Sequence, residues 1–190
     1  MKVGILALQG AFREHKEILD SLNIENCYVK TLEDLEGIDG IILPGGESTA
    51  MGKLLRDFGM LEVLRDKIIN GLPVFGTCAG MILLAKKLYQ DDTKHLAVMD
   101  IEVKRNAYGR QLGSFRTTAS FKGIDNPVEM VFIRAPYATK VGENVDILAK
   151  VDENIVATRE KNMLAISFHP ELIGETSVHK YFIEMIEKNK

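Results

Sequence analysis

At 190 residues, 46% of them hydrophobic and 27% charged, the chain is long enough to enclose one full core and short for two, so a single domain over residues 1–190 is expected. A formal net charge of -3 with no run of Lys or Arg leaves no electrostatic footprint for nucleic acid. No apolar run approaches the roughly 20 residues of a membrane span, and the apolar start Met1–Leu8 stops at Gln9-Gly10 without the length of a signal segment. Together with two cysteines, Cys27 and Cys78, outside any Cys-x-x-Cys or zinc-ligand spacing, this predicts free thiols, no metal and a cytoplasmic location.

In chain order, residues 2–8 read as a strand and residues 11–22 as a helix with Ile18, Leu19 and Leu22 on one face. Residues 26–30 and 40–43 are further strands, the second ending at Pro44-Gly45-Gly46. A helix over 48–58 with Ser48 as N-cap, a second over 60–70, and the apolar stretch Leu72–Phe75 follow. After the turn Gly76–Gly80, Met81–Leu88 reads as a buried helix. Alternation of strand and helix predicts an α/β fold of three layers, a mostly parallel central sheet with helices on both faces. Beyond Tyr89 the pattern changes. Residues 96–103, 115–121, 128–133, 145–151, 154–159 and 163–168 read as strands, some antiparallel, before a closing helix over 177–188 with Val178, Tyr181, Phe182, Met185 and Ile186 at helical spacing.

The stretch Gly76-Thr77-Cys78-Ala79-Gly80 places a cysteine on a sharp strand-to-helix turn. Its spacing is the thiol counterpart of the Gly-x-Ser-x-Gly nucleophile elbow, where small neighbours are needed because larger side chains clash across the bend. The turn sets the thiol at a helix N-terminus, which favours thiolate. The other reading of a lone cysteine between apolar segments is a small buried hydrophobe, so a catalytic role requires a base. His15 and His179 fall inside helices and His95 beside a charged turn, which suits surface or structural roles. His169 ends the strand Ala165–Phe168 and has Glu171 two residues on, past Pro170. In extended chain such residues face one side, so Glu171 is expected to hold one ring nitrogen and leave the other for the thiol. The loop Pro44–Thr49 fails the Walker pattern, because Gly52-Lys53 is preceded by Glu47 at the required position and followed by Leu54. Its amides, with that of Ala79, are candidate oxyanion donors, and a plain glycine turn is the alternative.

These residues carry a family likeness. Gly76–Gly80 and Ser167-Phe168-His169-Pro170-Glu171 resemble the class I, triad-type glutamine amidotransferases. Leu8–His15, Pro44–Thr49, Arg105-Asn106-Ala107-Tyr108-Gly109-Arg110-Gln111 and Phe132–Pro136 are similar to the glutaminase subunits of pyridoxal 5'-phosphate synthases within that group. The resemblance implies hydrolysis of glutamine by Cys78 as nucleophile, His169 as general base and acid, and Glu171 as its orienting partner. It implies glutamine contacts at Gly46, Glu47, Ser48, Arg105, Ile133 and Arg134, no cofactor, and ammonia delivered to a separate barrel-shaped synthase subunit. It further implies a free subunit that is poorly active until that partner is present. One departure is Arg116, where the family usually has an acidic residue; it lies outside the catalytic motifs. Rival readings are a glutaminase serving a different synthase, or a cysteine-elbow peptidase or redox-stress protein of similar fold.

Overall fold

The computed structural model describes residues 1–108 and 113–189. The first half is laid down by apolar runs too short for helices and bounded by turns: β1 (Lys2–Leu6), β2 (Glu25–Val29), β3 (Gly40–Leu43) and β4 (Val74–Thr77), with α1 (Phe12–Ser21), α2 (Ser48–Asp57) and α3 (Met60–Ile69) between them. Next come α4 (Ala79–Leu84), β5 (Ala85–Leu88), β6 (Met99–Lys104), β7 (Ser114–Phe121), β8 (Ile124–Ile133), β9 (Tyr137–Val141), β10 (Asp146–Val151), β11 (Asn154–Glu160), β12 (Met163–Ile166) and α5 (Ser177–Lys188).

Among the described residues ten strands join in one sheet of order β2-β1-β3-β4-β12-β11-β9-β6-β5, with β10 paired to β11, while β7 and β8 form a separate antiparallel hairpin. From β2 to β12 every pairing is parallel, and the antiparallel pairings begin at β11. The parallel half fixes the location of the site: β1, β3, β4 and β12 all end on one edge, where ligands bind in such sheets. The residues that follow those ends are Gln9-Gly10, Gly45–Glu47, Cys78 and His169.

Successive strand residues point to opposite faces, and each face has its own core. Leu6, Ile41, Leu43 and Val74 pack beneath α2, α3 and α4 with Met51, Leu55, Leu64 and Met81. Val3, Ile5, Ile42 and Phe75 pack against Leu19 of α1, Val178, Phe182 and Ile186 of α5, and Met130 and Phe132 of β8. Each such side chain, fully buried, contributes about 1.5–3 kcal/mol.

Three sequence expectations change. The helix expected through Leu88 ends at Leu84, and Ala85–Leu88 becomes β5, parallel to β6. Ala85 and Leu88 are buried while Lys86 and Lys87 are exposed. Apolar positions at 81, 84, 85 and 88 suit a helix as well as this strand, and pairing with β6 decides. Strand β9 was not foreseen between Pro136 and Gly142; Ala138 is its buried centre, set between Val103 and Ile155. The cap of α2 is Glu47, not Ser48: its carboxylate oxygens accept from the amides of Thr49 at 2.9 Å and Ala50 at 2.7 Å, and Ser48 is the first helical residue.

Candidate active site

Between the end of β4 and the start of α4 the chain reverses within one residue. Cys78 has φ 48° and ψ -98°, a conformation that costs a side-chain-bearing residue roughly 1–3 kcal/mol and is tolerated only where surroundings enforce it. Its amide donates to the carbonyl of Ile166 at 2.8 Å, anchoring it to β12. The glycines are required: a Cβ on Gly76 would lie 2.6 Å from the carbonyl carbon of Gly80, and one on Gly80 2.3 Å from the oxygen of Leu43.

His169 follows β12, and its amide donates to Val131 of β8 at 2.8 Å. Its Nδ1 lies 2.7 Å from Oε1 of Glu171. The expected proximity is present, but its cause is different: Pro170–Leu172 is a single 3-10 turn, so curling of the chain, not extended alternation, brings the carboxylate under the ring. Burial opposes a charged ring here. Hydrogen bonding to Cys78 and to Glu171 outweighs it, and the pKa of His169 is pushed up to about 10. A thiol, an imidazole and a carboxylate thus stand in series, with the imidazole charged at neutral pH.

The cleft beside them has a volume of about 450 Å³, within the range of small-molecule sites. Of the sequence-derived candidates, Gly46, Glu47, Ser48, Cys78, Arg105, Ile133, Arg134 and His169 line it; Ala79 and Glu171 lie behind this surface. Arg105 is held by acceptors, with Nη1 3.5 Å from Asp91 Oδ2 and Nη2 3.3 Å from Thr49 Oγ1 and 3.7 Å from Glu47 Oε1. Burial acts to raise the pKa of Glu47, but the amides of Thr49 and Ala50 and the charge of Arg105 hold it lowered. The amide of Glu47 is already bonded to Gln9 Oε1 at 2.8 Å, and those of Thr49 and Ala50 to its carboxylate. Among the proposed oxyanion donors this leaves Gly45, Gly46, Ser48 and Ala79.

Ile133 and Arg134 reach the cleft through β8. Phe115 and Phe132 stack with centroids 4.5 Å apart, Tyr108 packs on both, and Phe132 meets Phe168, the residue before His169. One aromatic cluster therefore positions both cleft walls. Arg116 lies on the exposed side of the hairpin, 3.4 Å from Glu129. Gly109, Arg110 and Gln111 lie outside the described residues.

Sequence reasoning missed Gln9, Gly10 and Asn106 as cleft residues. Gln9-Gly10 follows β1 as Gly45-Gly46 follows β3, and the two loops interlock: Ala11 donates to the carbonyl of Gly45 at 2.9 Å, and a Cβ on Gly10 would meet that oxygen at 2.0 Å. Parallel strand ends were the available signal.

His15, His95 and His179 are buried. Burial lowers the pKa of His15, aided by His179 and His169, and lowers that of His179 to about 3. These two rings stay neutral in the folded chain while the unfolded chain protonates them near 6.5. Each therefore removes about 1.4 kcal/mol of stability per pH unit as pH falls below 6.5, until its folded pKa is reached. His169, raised, acts oppositely: its contribution is complete below 6.5 and is lost as pH rises through about 10. Urea unfolding is expected to give its highest midpoint near pH 6.5–7, falling on both sides; a midpoint still rising at pH 5 would contradict these assignments.

The sequence matches the family described as SNO glutamine amidotransferase family over residues 5–188. It is 56% identical over 194 residues to pyridoxal 5'-phosphate synthase subunit PdxT of Streptococcus pneumoniae (strain CGSP14), and 57% identical over 192 residues to the protein of that name in Clostridium botulinum (strain Loch Maree / Type A3). Both alignments cover 100% of each chain. A crystal structure of a glutamine amidotransferase superposes with a TM-score of 0.93 at 45% identity, covering 97% of this chain and 98% of the other. The structure of PurLQS from Thermotoga maritima, at 17% identity and a TM-score of 0.72 over 100% of this chain and 99% of that one, shares the fold.

Proposed function

Because the chain belongs to the SNO glutamine amidotransferase family, we propose that its cleft converts L-glutamine to L-glutamate and ammonia by a Cys78-His169-Glu171 triad, and that the ammonia is used to make pyridoxal 5'-phosphate. The observation that carries this reading is His169, joined to Glu171 on one side and to Cys78 on the other. Cys78, as the thiolate paired with the His169 imidazolium, attacks the side-chain amide carbon. The imidazolium of His169 donates its proton to the departing ammonia, leaving a thioester on Cys78 and a neutral ring. That ring then takes a proton from water as the water attacks the thioester, and glutamate leaves with the thiolate–imidazolium pair restored. Glu171 holds Nδ1–H throughout and favours the charged ring.

The amides of Gly46 and Ala79 receive the oxyanion. Arg105 and Arg134 pair with the substrate carboxylate, Glu47 accepts from its ammonium, and Ser48 and Ile133 complete the wall. A carboxylate and an ammonium on one small molecule demand such a split of charge. Arg105 is shared among acceptors in the cleft, so a substrate carboxylate competes with Asp91 and Glu47 for it.

Residues 1–190 act as one glutamine amidotransferase domain. The relatives named as synthase subunits support a partner synthase subunit; in the proposed reading that partner is barrel-shaped and receives the ammonia. Among the described residues no helix is long and apolar enough to cross a membrane, in keeping with cytoplasmic work. The test is glutamate release with and without a pyridoxal 5'-phosphate synthase subunit. Stimulation of at least about tenfold is expected, since one correctly placed oxyanion donor is worth about 100- to 1000-fold in rate. Equal rates would overturn the dependence on the partner, and no glutamate in either tube would overturn the reaction.

A further inference from the structure

Behind the triad lies a group that the reaction above does not use. His15 is wholly buried in α1. Its Nε2 is 3.2 Å from Oγ1 of Thr77, the residue before the nucleophile, and 3.7 Å from Oε1 of Glu171. That oxygen also takes Nδ1–H of His169 at 2.7 Å. On its other side, Nδ1 of His15 is 2.9 Å from Nε2 of His179 in α5. The other oxygen of Glu171 is buried with no hydrogen-bond partner among the described residues, so the carboxylate is oriented through Oε1 alone.

The tautomer follows from the carboxylate. A lone pair on His15 Nε2 would face the lone pairs of Oε1 in a dry interior, where that repulsion is strong. Nε2 therefore carries the proton, and Nδ1 accepts from Nε2–H of His179. We propose that His15 is a positioning residue for the triad: its Nε2–H, bonded to Thr77 Oγ1 at 3.2 Å, turns its positive edge to the Glu171 oxygen 3.7 Å away that holds His169, and His179 fixes the tautomer that supplies this proton.

The titratable groups facing His15 are His179 from α5, Glu171 from the turn after β12, and His169 ahead of that turn. Burial and the neighbouring rings keep His15 neutral, which suits a pair already balanced by Glu171 and His169. A second cation would compete with His169 for the carboxylate; a neutral donor restrains it and leaves its charge for His169.

The proposal rests on the glutaminase reading, and the test separates the two. His15→Phe fills the space without a donor, and His15→Gln restores an N–H near Nε2. Assayed with the synthase subunit, His15→Phe is expected to lower kcat for glutamine hydrolysis by about 10- to 100-fold, the scale of a small misplacement, with KM within about twofold. His15→Gln should recover to within about threefold. In parallel, alkylation of Cys78 by iodoacetamide, resolved from Cys27 by peptide mass, needs no glutamine. In His15→Phe the pH of half-maximal reactivity should rise by about one unit, because a less firmly held imidazolium supports the thiolate less. A parental kcat and alkylation profile in His15→Phe overturns the proposal, as does loss in both variants that only tracks melting temperature. If His15→Phe does not fold, ring 15N shifts of the native chain decide: a proton on Nε2 of His15 supports the assignment and one on Nδ1 overturns it. A native chain that never releases glutamate would overturn the glutaminase reading, while the alkylation profile would still decide the role of His15.

Discussion

Cys78→Ala is expected to remove glutamine hydrolysis, by at least about four orders of magnitude, and to leave the fold intact. The loss follows from the chemistry: without a sulfur there is no thioester, and what survives is the catalysis that oxyanion donors and substrate binding give to direct attack by water. The intact fold follows from the backbone. Alanine retains the Cβ, so it meets the same strain at φ 48°, and the amide bond to Ile166 does not involve the side chain. Cys78→Gly separates these effects. It is equally inactive, but it relieves the strain of roughly 1–3 kcal/mol at an entropic cost of roughly 0.5–1 kcal/mol. It should therefore unfold at higher urea than Cys78→Ala by about 1 kcal/mol of stability. Glutamate release by Cys78→Ala well above that surviving catalysis would remove the nucleophile; a Gly variant less stable than the Ala variant would remove the strained elbow. The strain points to a backbone held for chemistry, since a structural cysteine has no need of it.

The elements legible in the sequence are those in which local periodicity and final burial agree. Strands β1, β3 and β4 are apolar apart from Lys2 and Thr77 at their ends because both of their faces are covered, and α5 shows its stripe over the residues it occupies. The elbow was legible because its glycines answer to contacts within a few residues. What was hidden depends on distant partners. Strand β5 exists because β6 lies beside it, and β9 because Ala138 fits between Val103 and Ile155. Gln9 enters the cleft only because the loop after β3 closes over it. His15 and His179 stood in plain view: His15 shares the 3- and 4-residue spacing of Ile18, Leu19 and Leu22, and His179 that of Phe182, Ile183 and Ile186. Histidines on the buried stripes of two helices invite the question of what they meet, and they meet each other, 164 residues apart in sequence.

That same dependence on distant contacts makes Gly45 a second point of failure, although it takes no part in the chemistry. A Cβ at Gly45 would lie 2.3 Å from Cε1 and 2.8 Å from Nδ1 of His169, well inside contact distance, so one of the two must move. The ring has little freedom. Its Nδ1 is bonded to Glu171, its backbone to Val131, and Phe168 beside it is locked into the aromatic cluster of β8. Turning the ring breaks the bond to Glu171; shifting the loop pulls the carbonyl of Gly45 from Ala11 and carries Gly46 and Glu47 out of the cleft wall. Either way the distance between base and nucleophile changes by an amount comparable with the overlap, and a misplacement near 1 Å costs about 100-fold in rate. Gly45→Ala is therefore expected to lower kcat/KM for glutamine by about 100-fold, while overpacking at one loop position costs about 1–3 kcal/mol of stability. The two mechanisms divide on His169. If the ring turns away from Glu171, the pKa of about 10 drops toward 6.5 and the alkaline limb of the pH–rate profile moves down with it. If the loop moves instead, the limb stays in place and the loss appears in KM as well as kcat, because Glu47 and Gly46 have left the substrate. A Gly45→Ala enzyme with parental kcat/KM would mean that loop and ring give way without consequence, and would discredit the packing of this glycine against the imidazole as a determinant of the site.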